Sequence, residues 1–162
     1  MTRWLNDDEQ RIWRSFLTAH QMLFNQLDRE MQKEAGLPHT YYEILVRLSE
    51  APEWCMRMSE LASRSTSSRS RISHAVDRLV EFEWVRRERC PNDKRGALAV
   101  LTDGGFAVLD RASHGHVESV RTHVFDQLSK DQLLALASVN EALVRHLQTL
   151  VAPAPDGADP TR

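Results

Sequence analysis

Residues 65–79 read STSSRSRISHAVDRL, and this stretch constrains the fold more than any other. Apolar residues fall at Ile72, Val76 and Leu79, the four-then-three spacing that lines one face of a helix. At about 100° per residue, Ser67, Ser70, Arg71, His74 and Arg78 point away from that stripe. A short helix with a packed back and a small, basic, hydrogen-bonding front suits the major groove of duplex DNA. The serines ahead of it, Ser68 among them, supply N-cap oxygens and hydroxyl donors where free backbone N–H groups can meet a phosphate. An ordinary solvated helix face would look the same in this stretch alone, so the flanks decide.

Upstream, residues 58–64 form a short helix that ends in a polar turn, which makes the pair a helix-turn-helix. Downstream, 84–90 is a strand, 91–96 a turn rich in turn-forming residues, and 97–101 a return strand. Cys55-Met56-Arg57 offers a short first strand. The result is a winged helix: a basic hairpin beside the recognition helix.

The same residues resemble a known family. Arg87, five residues, Asp93-Lys94-Arg95 and then Leu101-Thr102-Asp103-Gly104-Gly105 are similar to the wing signature of MarR-type transcriptional regulators, R-x5-D-x-R followed by L-T-x-x-G. The recognition run ends in the family's V-D-R-L at residues 76–79, and the likeness spans about residues 5–150. It implies a two-fold dimer, DNA contacts from the recognition face together with Arg87, Lys94 and Arg95, and a minor-groove role for Arg95. Asp93 then positions the wing arginines instead of touching DNA, since its charge repels phosphate. One departure stands out. The family keeps a glycine between the recognition helix and the next strand; here that place holds Glu83. A left-handed glutamate costs about 1 kcal/mol more than glycine, so either the chain bears that strain or the helix exits by another turn.

A net charge of −2 argues superficially against a nucleic-acid partner. Its distribution argues the other way: residues 57–95 carry ten Lys and Arg against six Asp and Glu, and the rest is acidic. A basic lobe on an acidic body attracts phosphate locally without a high overall pI.

The outer helices explain the remaining length. Asn6 and Glu9 have capping-box spacing at the start of a helix that should run to about Glu34 and end at Gly36. Its apolar stripe runs from Ile12 through Trp13, Phe16 and Leu27 to Met31. A second helix starts near Pro38 or Thr40 and continues to about Glu50. Thr102 should cap a helix that runs to about Gln127 with Phe106, Leu109, Ser113, His116 or Val117, and Val120 along its stripe. Ser129 and Gln132 open the last helix, whose Leu133, Leu136, Leu143, Leu147 and Leu150 make a seam of coiled-coil type. Such seams are covered most economically by a second copy, and a two-fold dimer matches a palindromic operator.

The expected architecture is therefore mainly α, with a winged helix-turn-helix lobe and three long helices forming a two-fold dimerisation lobe. The division is 1–36 for the first dimerisation helix, 37–101 for the DNA-binding lobe, 102–151 for the last two dimerisation helices, and 152–162 for a disordered tail.

Other chemistry finds little support. No Gly-rich phosphate loop or nucleophile motif is present, so no catalysis and no cofactor are expected. His116 and His123 share a helix face but lie seven apart, where a helical pair of metal ligands sits four apart, so no metal site is expected. Cys55 and Cys90 lack disulfide or metal spacing, and neither lies in the first helix, where the family's peroxide sensors keep their reactive cysteine. The first residues hold no apolar run, which points to a cytoplasmic chain without membrane insertion. By resemblance, Trp13, Phe16, His20, Tyr41 and Tyr42 are candidates for a pocket that takes a phenol or aromatic acid. The reading is a DNA-binding repressor released by such a ligand. Its competitors are a metal- or oxidant-sensing regulator of the same fold, a metal-dependent enzyme, and a winged helix used only for protein contacts.

Overall fold

A computed structural model describes residues 1–65, 67–90 and 93–151, the side chains of residues 93–95 and 151 excepted. The expected tail, 152–162, lies outside the described residues. The order is α1 (Asp7–Ala35), α2 (His39–Ser49), a 3-10 turn (Pro52–Trp54), β1 (Cys55–Arg57), α3 (Met58–Arg64), α4 (Arg69–Glu81), β2 (Val85–Cys90), β3 (Asp93–Leu101), α5 (Asp103–Val120), a π-helical turn (Arg121–Phe125) and α6 (Lys130–Val151). Two compact units divide between Val120 and Arg121. No described helix is long and apolar enough to cross a membrane.

Local chemistry sets most boundaries. At the start of α1, Asn6 Oδ1 accepts from the Glu9 N–H at 2.9 Å, and the Glu9 carboxylate accepts from the Asn6 N–H at 2.9 Å. Gly36, left-handed at φ 63°, ends the helix. Of the two starts open to α2, the earlier is taken. Pro38 is the N-cap and makes no side-chain cap. Instead, Asp28 Oδ1 on α1 accepts from the His39 N–H at 2.8 Å, a cap supplied from eleven residues upstream.

The core belongs to the winged lobe. Ile44, Leu45 and Leu48 of α2, Leu61 of α3, and Ile72, Val76 and Leu79 of α4 are almost wholly buried, with Val85 and Ala99 of the sheet. Leu109 and Ala112 of α5 join the same cluster. The sheet is antiparallel in the order β1-β3-β2. Its last strand starts at Asp93, not Ala97, with a register shift between Arg89 and Cys90. Antiparallel pairing thus continues into residues whose composition reads as turn, because an exposed hairpin needs no buried face to stay paired.

The junction between α4 and α5 explains both the family's glycine and its absence here. Glu83 has φ 61°, so the chain does bear a left-handed glutamate. The Trp84 N–H donates to the Leu79 carbonyl and the Glu83 N–H to the Val80 carbonyl, both at 3.0 Å, which is the Schellman pattern. Thr102 then fastens this turn to α5. Its hydroxyl donates to the Glu83 carbonyl at 2.7 Å and accepts from the Gly105 N–H at 3.0 Å. Gly105 is required by contact, since a Cβ there would lie 2.1 Å from the Trp84 carbonyl oxygen.

Two expectations for α5 need correction. The packed stripe is Gly105, Leu109 and Ala112, whose small members allow close approach, whereas Phe106 and Val117 are exposed. Phe106 stacks on Trp54, with ring centroids 4.9 Å apart. The helix also stops being α-helical at Val120, seven residues before Gln127; the Asp126 N–H reaches back five residues to the Arg121 carbonyl at 2.9 Å. A π turn absorbs an extra residue without glycine or proline, so nothing in the composition marks it.

In the second unit, α6 opens on the expected Ser129 box. The Gln132 N–H donates to Ser129 Oγ at 3.3 Å and the Ser129 N–H to Gln132 Oε1 at 2.8 Å. Leu136, Leu143, Leu147 and Leu150 of its seam are exposed.

Candidate nucleic-acid interface

The outward face of α4 is built by its buried back. With Ile72, Val76 and Leu79 sealed, Ser70, Arg71, His74 and Arg78 are left exposed. Ser68 caps the helix, its Oγ accepting from the Arg71 N–H at 3.3 Å, and half-buried Ser67 precedes it. Arg71 has no ion-pair partner among the described residues. Arg78 pairs with Glu81 one turn on and lies 5.6 Å above the Phe82 ring.

Arg87 sits differently from the other candidates. Its Nη2 lies 2.8 Å from Asp77 Oδ1 and donates to the Ser73 carbonyl at 3.2 Å and the Ser73 hydroxyl at 3.3 Å. The guanidinium therefore ties β2 to the recognition helix. Its charge is largely spent on Asp77. Beside this tie, a cleft of about 470 Å³ opens between α4 and the wing, with Arg57, Ser59, Arg69 and Ser73 among its lining. Helical periodicity singled out neither Arg57, the N-cap of α3, nor Arg69, the first residue of α4, because neither lies on an apolar-flanked turn. Their signal was position, at the starts of α3 and α4, where helix N-termini meet anions. The side chains of Asp93, Lys94 and Arg95 lie outside the described residues.

The five aromatic candidates do not share one pocket. Trp13, Phe16, His20 and Phe24 stack along α1 with centroid separations of 6.0, 6.4 and 4.5 Å. Trp13, Phe16 and His20 are exposed on that helix and line none of the described cavities. A cavity of about 390 Å³ does lie between α1, α2 and α5, with Tyr42 on its wall beside Phe24, His39, Arg47 and His116. Adjacent Tyr41 faces a different cleft, against α4. Adjacent helical residues project about 100° apart, so the two tyrosines had to part.

The electrostatics of the cavity are distinctive. Burial, and secondarily the nearby Glu50, raises the Tyr42 phenol above its ordinary range and keeps it protonated. Burial, with His39 beside it, lowers the His116 imidazole and keeps it neutral. Arg47 Nε and His116 Nδ1 are buried with no hydrogen-bond partner. Among the described residues no cluster of three or more His, Cys, Asp or Glu can hold a metal ion. Burial first, then Glu88 and Glu53, raises the Cys55 thiol, the reverse of what an oxidant-reactive thiolate needs.

A short basic helix on a sealed core, with a hairpin tied to its flank, defines a winged helix-turn-helix DNA-binding protein. The MarR family profile matches residues 37–96. The chain is 47% identical to Sco3205, a MarR family transcriptional regulator from Streptomyces coelicolor whose structure is in complex with DNA; the TM-score is 0.84, covering 98% of this chain and 97% of that one. It is 41% identical to AbsC, a MarR family transcriptional regulator from the same organism, with a TM-score of 0.82 over 91% and 99% of the two chains. The HTH-type transcriptional regulator PecS of Dickeya dadantii is 28% identical over 126 residues, 75% of each chain. The chain belongs to the MarR family of DNA-binding transcriptional regulators.

Proposed function

We propose that this regulator is a homodimeric repressor that places α4 of each copy in the major groove of a palindromic operator and leaves when a small aromatic acid or phenol binds. The outward face of α4 carries the reading: Ser70, Arg71 and His74 are exposed on a helix whose back is sealed, and Arg71 has no ion-pair partner among the described residues. Arg71 and His74 lie near the helix start, where side chains reach base edges. Lys94 and Arg95, from the sequence, extend the contact into the minor groove. Arg87 and Asp93 serve position. Ser67, Ser68 and Arg78 supply backbone contacts at the rim. The DNA complex of Sco3205 supports this use of the lobe.

A second copy is the natural cover for α1, where Ile12, Trp13, Phe16 and Leu17 stand outward, and for the leucine seam of α6. The cavity beside Tyr42 supports the ligand half. Its aromatic wall suits a ring, the orphaned Arg47 Nε calls for an acceptor such as a carboxylate, and His116 Nδ1 calls for a polar partner. Trp13, Phe16, His20 and Tyr41 are not part of this pocket.

Binding isotherms over a salt series, on operator and scrambled duplex, test the DNA half. Arg71→Ala should cost about 1–3 kcal/mol on the operator and relax preference at one or two base pairs per half-site. An unchanged operator affinity would remove α4 as the reading surface. For the ligand half, benzoate-type acids should weaken operator binding, and Tyr42→Ala should abolish that response while leaving DNA affinity intact. Tight binding of such an acid without loss of DNA affinity would show that it does not discriminate between the two states and is not the signal.

A further inference from the structure

Tyr41 stands across a cleft of about 280 Å³ from the flank of α4, with Arg71, His74 and Arg78 on the opposite wall and Thr40 beside it. Among the described residues, no carboxylate lines this cleft. The acid engaged with its cations among the described residues is Glu81, paired to Arg78 from outside the lining. We propose that the cleft seats one DNA phosphate per half-site, with the Tyr41 hydroxyl donating to a phosphate oxygen and Arg78 supplying the opposing charge, while Arg71 and His74 reach on to base edges.

The argument is one of dimensions. A helix with its side chains is about 10–12 Å across and fills a major groove about 12 Å wide. An element packed against the side of such a helix therefore meets the sugar–phosphate rail, not base edges. Arg71, His74 and Arg78 recur at three and four residues, so they share the stripe of α4 that faces α2. A hydroxyl opposite that stripe donates to an anion without disturbing the cations. Tyr42 cannot substitute, being buried on the far side of α2. The chain thereby gains a backbone contact from outside the helix-turn-helix, and α2 becomes part of the DNA-binding surface.

The proposal rests on α4 entering the groove, and its test separates the two. Tyr41→Phe keeps the ring and removes only the hydroxyl. It should weaken binding to operator and scrambled duplex by the same factor, about two- to tenfold per half-site. The salt slope should stay unchanged, since no charge is lost. A single uncharged methylphosphonate per half-site at the seated phosphate should weaken wild type by a larger factor than it weakens Tyr41→Phe, since both lose the cation contact and only wild type loses the hydroxyl's. Equal affinity of wild type and Tyr41→Phe would overturn the proposal, as would a loss confined to the operator. So would displacement of DNA from wild type, but not from Tyr41→Phe, by inorganic phosphate at constant ionic strength, because the cleft would then be a free-oxyanion site. If Arg71→Ala weakens the operator complex and Tyr41→Phe does not, this proposal alone fails. If neither does, the reading of α4 fails with it.

Discussion

The same helical periodicity meets opposite fates in α4 and in the first half of α1. On α4, Ile72, Val76 and Leu79 are sealed to within 1% of full burial. On α1, Ile12 keeps 62% of its surface, Trp13 50% and Phe16 44%. Neither stripe is more apolar by kind. What differs is the cover: α2, α3 and the sheet pack on α4, whereas among the described residues nothing seals α1 before Leu23 to that degree. Burying one such side chain contributes up to about 1.5–3 kcal/mol, so these three half-exposed ones make a standing drive toward association. The lobe is self-sufficient, and the outer helix is not.

Substitution in the lobe should separate the two regions most sharply. Leu79→Ala should cost about 2–5 kcal/mol of folding stability, and the loss should not depend on protein concentration. Chemical denaturation at two concentrations tests this; a concentration-dependent loss would mean that the core is shared between copies.

The seams should respond in the opposite manner. Leu136→Glu together with Leu143→Glu should raise the dimer dissociation constant at least about a hundredfold, since buried unpaired carboxylates are costly. Sedimentation should show single chains that still melt cooperatively. A dimer that survived both changes would put its interface elsewhere.

Most of the local architecture was legible because its causes are local. The Asn6–Glu9 box, the Gly36 stop, the Ser129–Gln132 box and the sealed back of α4 all follow from neighbours a few residues apart. The conflict at Glu83 was legible for the same reason, and its answer, a left-handed glutamate, was one of the two offered. What stayed hidden depends on distant partners. Asp28 caps α2 from another helix, Arg87 is claimed by Asp77 and Ser73, and Tyr41 and Tyr42 face different clefts. Periodicity says that a side chain points outward or inward; it does not say toward what. Three of the five candidate ligand residues lie on the aromatic stripe of α1, while the cavity took its walls from α1, α2 and α5 and of the five includes only Tyr42 among its described lining.

Glu83 allows a smaller refinement, within the self-sufficient lobe. Glu83→Gly should hold or raise stability by up to about 1 kcal/mol, where glycine in an ordinary helical position would lower it. A clear fall in Tm would show that the glutamate side chain contributes more than its backbone costs.

The smallest expected effect lies at His116. Folding keeps this imidazole below its ordinary 6.5, by burial first and His39 second. Below about 6.5 the unfolded chain takes up a proton that the folded chain refuses, so stability should decline as pH falls and level off beneath the folded value. His39, Tyr42, Glu43 and Glu50 line the same cavity. Urea midpoints from pH 8 to 5 for wild type and His116→Leu should diverge at the acid end, and parallel curves would assign the decline to other groups.

The tie from Arg87 to α4 also bears on how the protein finds its site. With β2 held to Asp77 and Ser73 before any duplex arrives, the base of the wing and the recognition helix tumble as one body. Scanning along DNA then consists of rigid collisions that are accepted or rejected as wholes, without a folding step at each stop. Residence time is set by how well that fixed shape matches a sequence. Arg87→Ala should accordingly shorten dwell on the operator far more than it slows arrival, a distinction that single-molecule tracking on stretched duplexes can read directly.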